Sequence, residues 1–477
     1  MPNQQPAPWR ERLSPIIFLS NNLISRIGVV LVTSAAVFWI FLLPSYLQGE
    51  AASAYLGILL FLALPSGFFL GLALIPIGIV LHRRRLGGTP ALTAEFPVLS
   101  WSNPSLRRLI IFIGVVTFAN VLIGANLTYR ATAYMESVQF CGLTCHTVMK
   151  PEYTAYQNSP HSRVECVKCH IGPGASWFVK SKLSGLGQVV AVALNNYERP
   201  IPVPVANLRP ARETCEDCHW PDKFGGDRLR VLTHFDDEGK MTKSVLLMRI
   251  GGGGARGTGI HTAHVGKGVR IRYAHSDHGR QNIPWIEYGR GGETREFLAP
   301  KARKEDIAKM NVREMDCMDC HNRPSHSFET PERALDTMMA AGAIAPDLPQ
   351  VRKTALEILR KNYASTAQAE SAIPAALERF YKEHNAELYS RRQAAVQSAA
   401  KAVLAIWSRN VFPEMKITWG TYVNNIGHND FPGCFRCHDG EHKSPDGKAI
   451  EQDCNSCHSL LAMEESSPKV LKELGVD

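Results

Sequence analysis

Twelve cysteines constrain what this chain can fold into more than any other feature. None occurs before residue 141, and all twelve then form six close pairs, each followed at once by a histidine. Five pairs read Cys-x-x-Cys-His, and the first has one extra residue between its cysteines. The pairs with their histidines are Cys141/Cys145/His146, Cys166/Cys169/His170, Cys215/Cys218/His219, Cys317/Cys320/His321, Cys434/Cys437/His438 and Cys454/Cys457/His458.

This spacing is typical of covalent c-type haem attachment. Two thiols add across the two vinyl groups on one haem edge, and the next residue lies under the ring, where its imidazole can bind the iron. Disulfides, zinc sites and thioredoxin-like redox motifs also use paired cysteines, but none of them needs a histidine after every pair. Chance would give about 0.01 such motifs, whereas the chain has five. We therefore predict six covalently bound haem c groups.

Other histidines are candidates for the second axial ligand of each iron. Eleven lie outside the motifs, ten of them after residue 130, which is enough for bis-histidine coordination throughout. Closeness to a motif favours His161, His326, His428 and His442. The set is completed by His234 and by one of His261 and His264. We predict distal ligands at His161, His234, His261, His326, His428 and His442, with His264, His275 and His278 as alternatives.

The first motif leaves a choice between two proximal ligands. Met149 lies three residues after His146, about one helical turn away, so the two side chains would approach the same face of a haem. A methionine ligand in place of histidine raises the potential of the iron. We favour His146 and keep Met149 as the alternative.

Three uncharged apolar runs precede the motifs, at residues 27–47, 51–81 and 109–129. A helix rises about 1.5 Å per residue, so about 20 apolar residues cross a bilayer core. The first and third runs fit one crossing each. The second, interrupted by Pro65 and Pro76, must tilt, kink or extend past the core. The sequence therefore predicts a three-helix transmembrane anchor in the lipid bilayer.

The charges that flank these runs predict an orientation. The loop between the first two runs holds only Glu50, whereas basic residues precede the first run and separate the second from the third. The positive-inside rule then places the N-terminus in the cytoplasm and the cysteine motifs on the outer side of the membrane. In a bacterium, the anchor would lie in the inner membrane and the motifs in the periplasm. The basic residues beside the apolar runs are arginines that also explain much of the net charge of +9, so no nucleic-acid partner is predicted. They are Arg10, Arg12, Arg26, Arg83, Arg84, Arg85, Arg107 and Arg108.

The motifs and apolar runs divide the chain into five regions. They are a cytoplasmic N-terminus (1–26), the anchor (27–129), a region with three haems (130–222), a small β-rich insert (223–310) and a helical region with three haems (311–477). Alternating apolar residues and glycines predict the strands of the insert. Thr330 followed by Pro331 predicts a helix start, with helices at 331–341, 349–362 and 375–410. The fold class is a membrane-anchored multihaem cytochrome c, mainly α-helical or irregular and packed around haems.

The stretch from Cys141 to His170, CGLTCHTVMKPEYTAYQNSPHSRVECVKCH, resembles the NapC/NirT/NrfH family of membrane-anchored multihaem quinol dehydrogenases. The shared features are a membrane helix directly before the first motif, an aromatic-rich linker with a histidine, and a second motif about 25 residues on. The resemblance covers roughly residues 109–222. In its three apolar runs and six motifs, the chain is more similar to the larger inner-membrane cytochromes of metal-respiring bacteria.

The resemblance implies a quinol dehydrogenase. Such a protein takes electrons from the membrane quinone pool, here with menaquinol as the expected substrate, and passes them to periplasmic cytochromes or reductases. Lys180 and Lys182 occupy the region where the family has a lysine in its quinol pocket. The alternative role for these lysines is contact with lipid headgroups.

Other functions remain open at this point. The chain could be the electron-transfer subunit of a larger membrane complex, without a quinone site of its own, and a homo-oligomer is equally compatible with the sequence. The same haem series could also run from a periplasmic donor to quinone. A terminal reductase is disfavoured, because it needs an iron with an open position and the chain has no Cys-x-x-Cys-Lys motif.

Overall fold

The computed structural model describes residues 19–47, 59–86, 102, 104–144, 146–172, 174–205, 208–251 and 259–476. Arg10, Arg12, Glu50 and Cys145 lie outside these ranges. The chain divides into two compact units. Unit 1 is Met1–Phe140 with Ile171–Leu183, and unit 2 is Cys141–His170 with Ser184–Asp477.

Unit 1 is built from apolar helices. They are α1 (Leu23–Leu47), α2 (Leu64–Arg85, preceded by the π-helix Leu59–Ala63) and α3 (Pro104–Glu136). Among the described residues, Leu64–Arg85 is the one helix that is long and apolar enough to cross a membrane, and Leu23–Trp39 and Leu183–Ala193 are shorter apolar helices. Helices thus lie in all three predicted runs, while the number of crossings stays a prediction.

Helices α1 and α2 approach each other closely because small residues lie at their contact. A Cβ atom placed on Gly28 would lie 2.7 Å from the carbonyl oxygen of Gly71, and the reverse holds as well. The Ser25 hydroxyl donates a hydrogen bond of 2.9 Å to the carbonyl oxygen of Ile75. Small residues and side-chain hydrogen bonds of this kind join helices where apolar burial alone gives little selectivity.

The remaining helices follow in chain order, and several of them consist of little more than a cysteine motif. They are α4 (His146–Gln157), α5 (Cys166–His170), α6 (Ala175–Ala193), α7 (Ala211–Cys215), α8 (Ile260–Val265), α9 (Lys304–Ile307), α10 (Cys317–Cys320), α11 (Pro331–Ala340), α12 (Val351–Leu359), α13 (Thr366–His384), α14 (Ala386–Asn410), α15 (Cys454–Cys457) and α16 (Lys469–Glu473).

Two antiparallel sheets lie in unit 2. Their strands are β1 (Arg228–Phe235), β2 (Met241–Met248), β3 (Val269–His275), β4 (Trp285–Arg290), β5 (Glu293–Leu298), β6 (Asn311–Glu314) and β7 (His458–Glu465). The strand orders are β1-β2-β7 and β5-β4-β3-β6.

The sheets extend beyond the insert predicted at 223–310. Strand β7, which begins at the last motif histidine, pairs with β2, and β6 pairs with β3. The second sheet also has a small aliphatic and aromatic core of its own, which includes Ile271, Tyr273 and Ile286. Unit 2 is therefore mixed α/β, because apolar side chains of its strands pack against one another as well as near the motifs.

The motif-free segment of unit 2 is helical, as predicted. Helix α11 begins at Pro331, and the Thr330 hydroxyl caps it by accepting a hydrogen bond from the amide of Arg333. The single helix predicted at 375–410 is instead the pair α13 and α14. Asn385 separates them, since its backbone is non-helical (φ −154°, ψ 64°) and its side chain caps the start of α14.

Candidate haem-binding sites

Several cysteine pairs lie on single short turns of helix. In α10 and α15 the two cysteines are the first and last residues, so their side chains lie on the same side of the turn. Asp316 and Asp453 cap these turns by accepting backbone hydrogen bonds. None of the eleven cysteines that the structure describes is in a disulfide. Two neighbouring thiols on one turn fit attachment to one edge of a haem.

Five motif histidines face a second histidine from another part of unit 2. The ring centroids are 5.7–6.2 Å apart in these pairs. An imidazole nitrogen binds a metal at about 2 Å and lies about 1.2 Å from its ring centroid, so two imidazoles on opposite sides of one iron have centroids about 6.3 Å apart. The pairs, each of which fits one iron, are His161–His219, His170–His326, His261–His321, His264–His438 and His428–His458.

Hydrogen bonds hold four of the rings that face a motif histidine in the tautomer that could bind a metal through Nε2. In His161, His261, His264 and His326, Nδ1 donates to a backbone carbonyl oxygen at 2.7–3.2 Å. A proton held on Nδ1 leaves the lone pair on Nε2. In the His264–His438 pair the two Nε2 atoms face each other at 3.5 Å. The backbone thus fixes the orientation of these four rings.

Burial favours the neutral imidazole at several of these positions. Burial lowers the pKa of His170, His264, His321 and His326. At His264 and His326 a backbone hydrogen bond opposes this lowering of the pKa. A histidine must be neutral to bind a metal. The surroundings of these rings therefore favour ligation over protonation.

The structure gives two predicted distal ligands other roles. Both ring nitrogens of His442 are engaged by the protein, Nδ1 with the Asp439 carboxylate at 2.9 Å and Nε2 with the carbonyl oxygen of Ile283 at 2.7 Å. His234 Nδ1 lies 3.0 Å from the Asp336 carboxylate, and no motif histidine in the described chain stacks against its ring. His442 is thus buried with both ring nitrogens in contact with protein oxygens, and His234 belongs to an ion-pair cluster.

Helix α8 brings two histidines opposite motif histidines, where the sequence predicts one distal ligand from this segment. His261 faces His321 and His264 faces His438. The two distal residues are three positions apart on one short helix, which puts both side chains on the same side. That spacing is the sequence signal that favours using both. His261 and His264 thus lie opposite motif histidines, whereas His234 and His442 do not in the described structure, and the set of distal ligands stays a prediction.

Other candidates are not brought opposite a motif histidine in the described structure. Nδ1 of His275 lies 2.9 Å from the carbonyl oxygen of Asp277, and His278 is exposed. Met149 is half-buried on α4. Helix α4 begins at His146, but the side chain of that residue lies outside the description, so the ligands of the first motif stay a prediction.

Cysteines of consecutive motifs are neighbours in space. The thiols of Cys141 and Cys166 are hydrogen-bonded, as are those of Cys215 and Cys317. The remaining steps are electrostatic interactions between thiols. They join Cys169 to Cys218, Cys320 to Cys434, and Cys434 to Cys457. The six motifs therefore form one continuous series that runs in sequence order.

The candidate quinol lysines lie on helix α6. The Nζ atom of Lys180, which is exposed, lies 4.5 Å from the centroid of the Trp177 ring in a cation–π contact. The side chain of Lys182 lies outside the description. The structure thus supplies an exposed ammonium group beside an aromatic ring, within unit 1.

Comparisons with known proteins identify the family of this chain. No solved structure matches the chain significantly. The pattern of the NapC/NirT cytochrome c family, N-terminal region, matches residues 103–201, which hold the first two motifs and both candidate lysines. The chain is 42% identical over 464 residues to the cytochrome c-type protein ImcH of Geobacter sulfurreducens, covering 95% of this chain and 91% of that protein. The chain therefore belongs to the NapC/NirT cytochrome c family, as the resemblance of its first two motifs predicts.

Proposed function

We propose that this chain is a hexahaem cytochrome of the bacterial inner membrane that oxidises quinol, with menaquinol as the expected donor. Its electrons would pass to periplasmic cytochromes or reductases. The observation that carries the proposal is the continuous series of cysteine motifs, in which each motif adjoins the next in sequence order. A bound c-type haem supplies an iron that gains and loses one electron.

The paired histidines favour electron transfer over catalysis on a small substrate. A pair such as His170 and His326, whose ring centroids are 6.2 Å apart, would hold one iron from both sides and leave no position open for a substrate. We assign the five pairs as axial ligands. The protein then contributes what a relay requires, which is fixed ligands, burial and the order of the sites.

Helix ends and loop charges support the proposed membrane orientation. Helix α2 ends in a basic turn, His82–Arg85, which follows the candidate membrane span. A cytoplasmic position for this turn agrees with the positive-inside rule. Three crossings by α1, α2 and α3 would then place the motifs in the periplasm, the compartment of the proposed electron acceptors.

Lys180 and Lys182 are the proposed quinol-site residues. Oxidation of a quinol releases two electrons and two protons, and loss of the first proton leaves a negative charge on the ring oxygen. A lysine ammonium at that oxygen stabilises the charge as it develops. The family match includes both residues, and Lys180 is exposed beside Trp177.

Reduction of the haem-loaded, detergent-solubilised protein by a menaquinol analogue tests the function. Stopped-flow absorbance would follow the haems in the original protein and in Lys180→Ala and Lys182→Ala. We expect reduction to slow by at least 10-fold in one of these variants, equivalent to 1.4 kcal/mol or more of lost transition-state stabilisation. Lys150→Ala, which removes an exposed lysine from α4, is the matched control and should react as the original protein does.

The number of haems is measured in the same samples. Full reduction by dithionite and a pyridine haemochrome assay should give six haems per chain. Absence of reduction by quinol in a protein that dithionite reduces fully would refute the proposal and favour a partner subunit that carries the quinone site. Equal slowing in Lys150→Ala would remove the assignment of the lysines.

A further inference from the structure

Glu152 occupies a buried position beside one of the paired histidines. It lies on α4, and its side chain is 14% exposed. Oε2 is 3.2 Å from Nδ1 of His326 and has no hydrogen-bond partner among the described residues. Oε1 is 3.7 Å from a guanidinium nitrogen of Arg323. A carboxylate thus lies at the edge of the His326 ring that faces away from the proposed iron.

This arrangement distinguishes His326 from the other distal histidines. Nδ1 of His161, His261 and His264 donates to a neutral backbone carbonyl oxygen. Nδ1 of His326 donates in the same way, to the carbonyl oxygen of Glu152 at 3.0 Å, but it also lies 3.2 Å from the carboxylate of that residue. Elsewhere in the described chain, a carboxylate lies within 4.0 Å of a histidine nitrogen only at His234 and His442, and neither belongs to a pair. The pair His170–His326 is therefore the one with an acidic neighbour at its distal ring.

Arg323 lies beside this carboxylate and is itself buried against aromatic side chains. The guanidinium is buried, and its Nε and Nη2 atoms have no hydrogen-bond partner in the part of the chain that the structure describes. It lies 3.9 Å from the centroid of the Tyr422 ring and 5.6 Å from that of Phe328. Burial raises the pKa of Glu152, and the positive charge of Arg323 opposes that rise.

A structural role does not explain this buried pair well. Two charges removed from water stabilise a fold only when their geometry is excellent and their remaining polar atoms are satisfied. Here the ions are 3.7 Å apart and three of their polar atoms lack hydrogen bonds. Charges that are weakly screened by their surroundings do, however, act strongly on a neighbouring metal site.

We propose that Glu152 lowers the reduction potential of the iron held by His170 and His326. The Nδ1 proton of His326 goes to the carbonyl oxygen of Glu152, and the carboxylate at 3.2 Å adds a negative charge beside the ring that makes the imidazole a stronger donor. The stronger donor and the nearby negative charge both favour the oxidised iron. Glu152 acts through His326 and is a positioning residue. The inference rests on the proposed ligation by this pair, and it identifies the second motif as the site whose potential the protein sets by a charge.

The test compares reduction potentials in three variants of the full-length, haem-loaded protein. Glu152→Gln removes the charge but keeps the shape, and Glu152→Asp keeps the charge but withdraws it from His326. Spectropotentiometric titration at mildly alkaline pH should show one of the six midpoint potentials rising in Glu152→Gln and rising less in Glu152→Asp. Glu165→Gln removes an exposed carboxylate beside Cys166 of the same motif and should leave every potential unchanged.

Electron paramagnetic resonance supplies an independent reading. One low-spin ferric signal should shift in Glu152→Gln, because His326 loses its anionic partner, while the haem content stays at that of the original protein. Potentials and signals that match the original protein in both Glu152 variants would overturn the inference, as would an equal shift in Glu165→Gln. Quinol reduction measured in the same samples separates this result from failure of the proposed function, because the potential shift does not depend on the donor.

Discussion

Asp336→Ala should strongly destabilise the helical segment of unit 2. Asp336 and Arg352 are 6% and 8% exposed, and the guanidinium donates to both carboxylate oxygens, at 2.8 and 3.3 Å. Without this carboxylate, Arg352 stays buried, and its one remaining ionic partner in the described part of the chain is Asp237, a more exposed residue at 3.9 Å. Breaking a buried pair costs about 3–5 kcal/mol. Because Asp237 offsets part of that cost, we expect the lower end of the range.

Amide hydrogen exchange of α11 and α12 measures this cost locally, since it reports the free energy of opening for individual helices. Glu332→Gln is the matched control, because Glu332 lies on the same helix in an exposed ion pair with Arg360 that is worth at most about 1 kcal/mol. Replacing Asp336 by Ala and Arg352 by Met together should recover most of the loss, because no buried charge then remains unpaired. Equal losses of protection in Asp336→Ala and Glu332→Gln would refute the reasoning.

Two further predictions concern a ligand pair and a pH-dependent cap. In electron paramagnetic resonance spectra, His264→Ala should convert one low-spin ferric signal to high spin. His442→Ala is the control and should leave all signals low-spin. The same outcome in both variants would contradict the assignment of His264 and His438 as a pair. For Glu414, burial alone would raise the pKa, but hydrogen bonds from the amide and hydroxyl of Thr366 hold it below the ordinary 4.5. Its contribution to stability is therefore present above that value and is lost as the pH falls through the lower folded value. Amide exchange at the start of α13 should show this acid loss, and Glu414→Gln should remove the pH dependence.

The sequence predicts those features that depend on neighbouring residues. A cysteine motif and the cap at Thr330 are each specified within a few positions, and the structure places a helical turn or a helix start at them. The family follows from the same local pattern around the first two motifs. The sequence predicts helix boundaries less accurately than helix starts such as that at Thr330, because a single residue such as Asn385 can end one helix and cap the next.

Pairing of histidines could not be read from the sequence, because it depends on tertiary structure. His161 lies five residues before Cys166 but faces His219 of the following motif. His326 lies five residues after His321 but faces His170. Proximity along the chain therefore selects useful candidates but not the iron that each would bind. It also favours His442, whose ring nitrogens are engaged by Asp439 and a backbone carbonyl.

Motif order and ligand pairing connect unit 2 in two different ways. Motifs that are neighbours in sequence are neighbours in space, whereas a ligand pair such as His170–His326 joins segments that are far apart in the chain. An iron bound by such a pair closes a long loop, and metal binding of this kind contributes directly to folding. Haem attachment and folding of the motif-bearing segments should thus be linked. The segment α11–α14 has a core of buried aliphatic and aromatic side chains, among them Leu335 and Trp407, so we expect its helices to depend less on haem than the motif-bearing segments do.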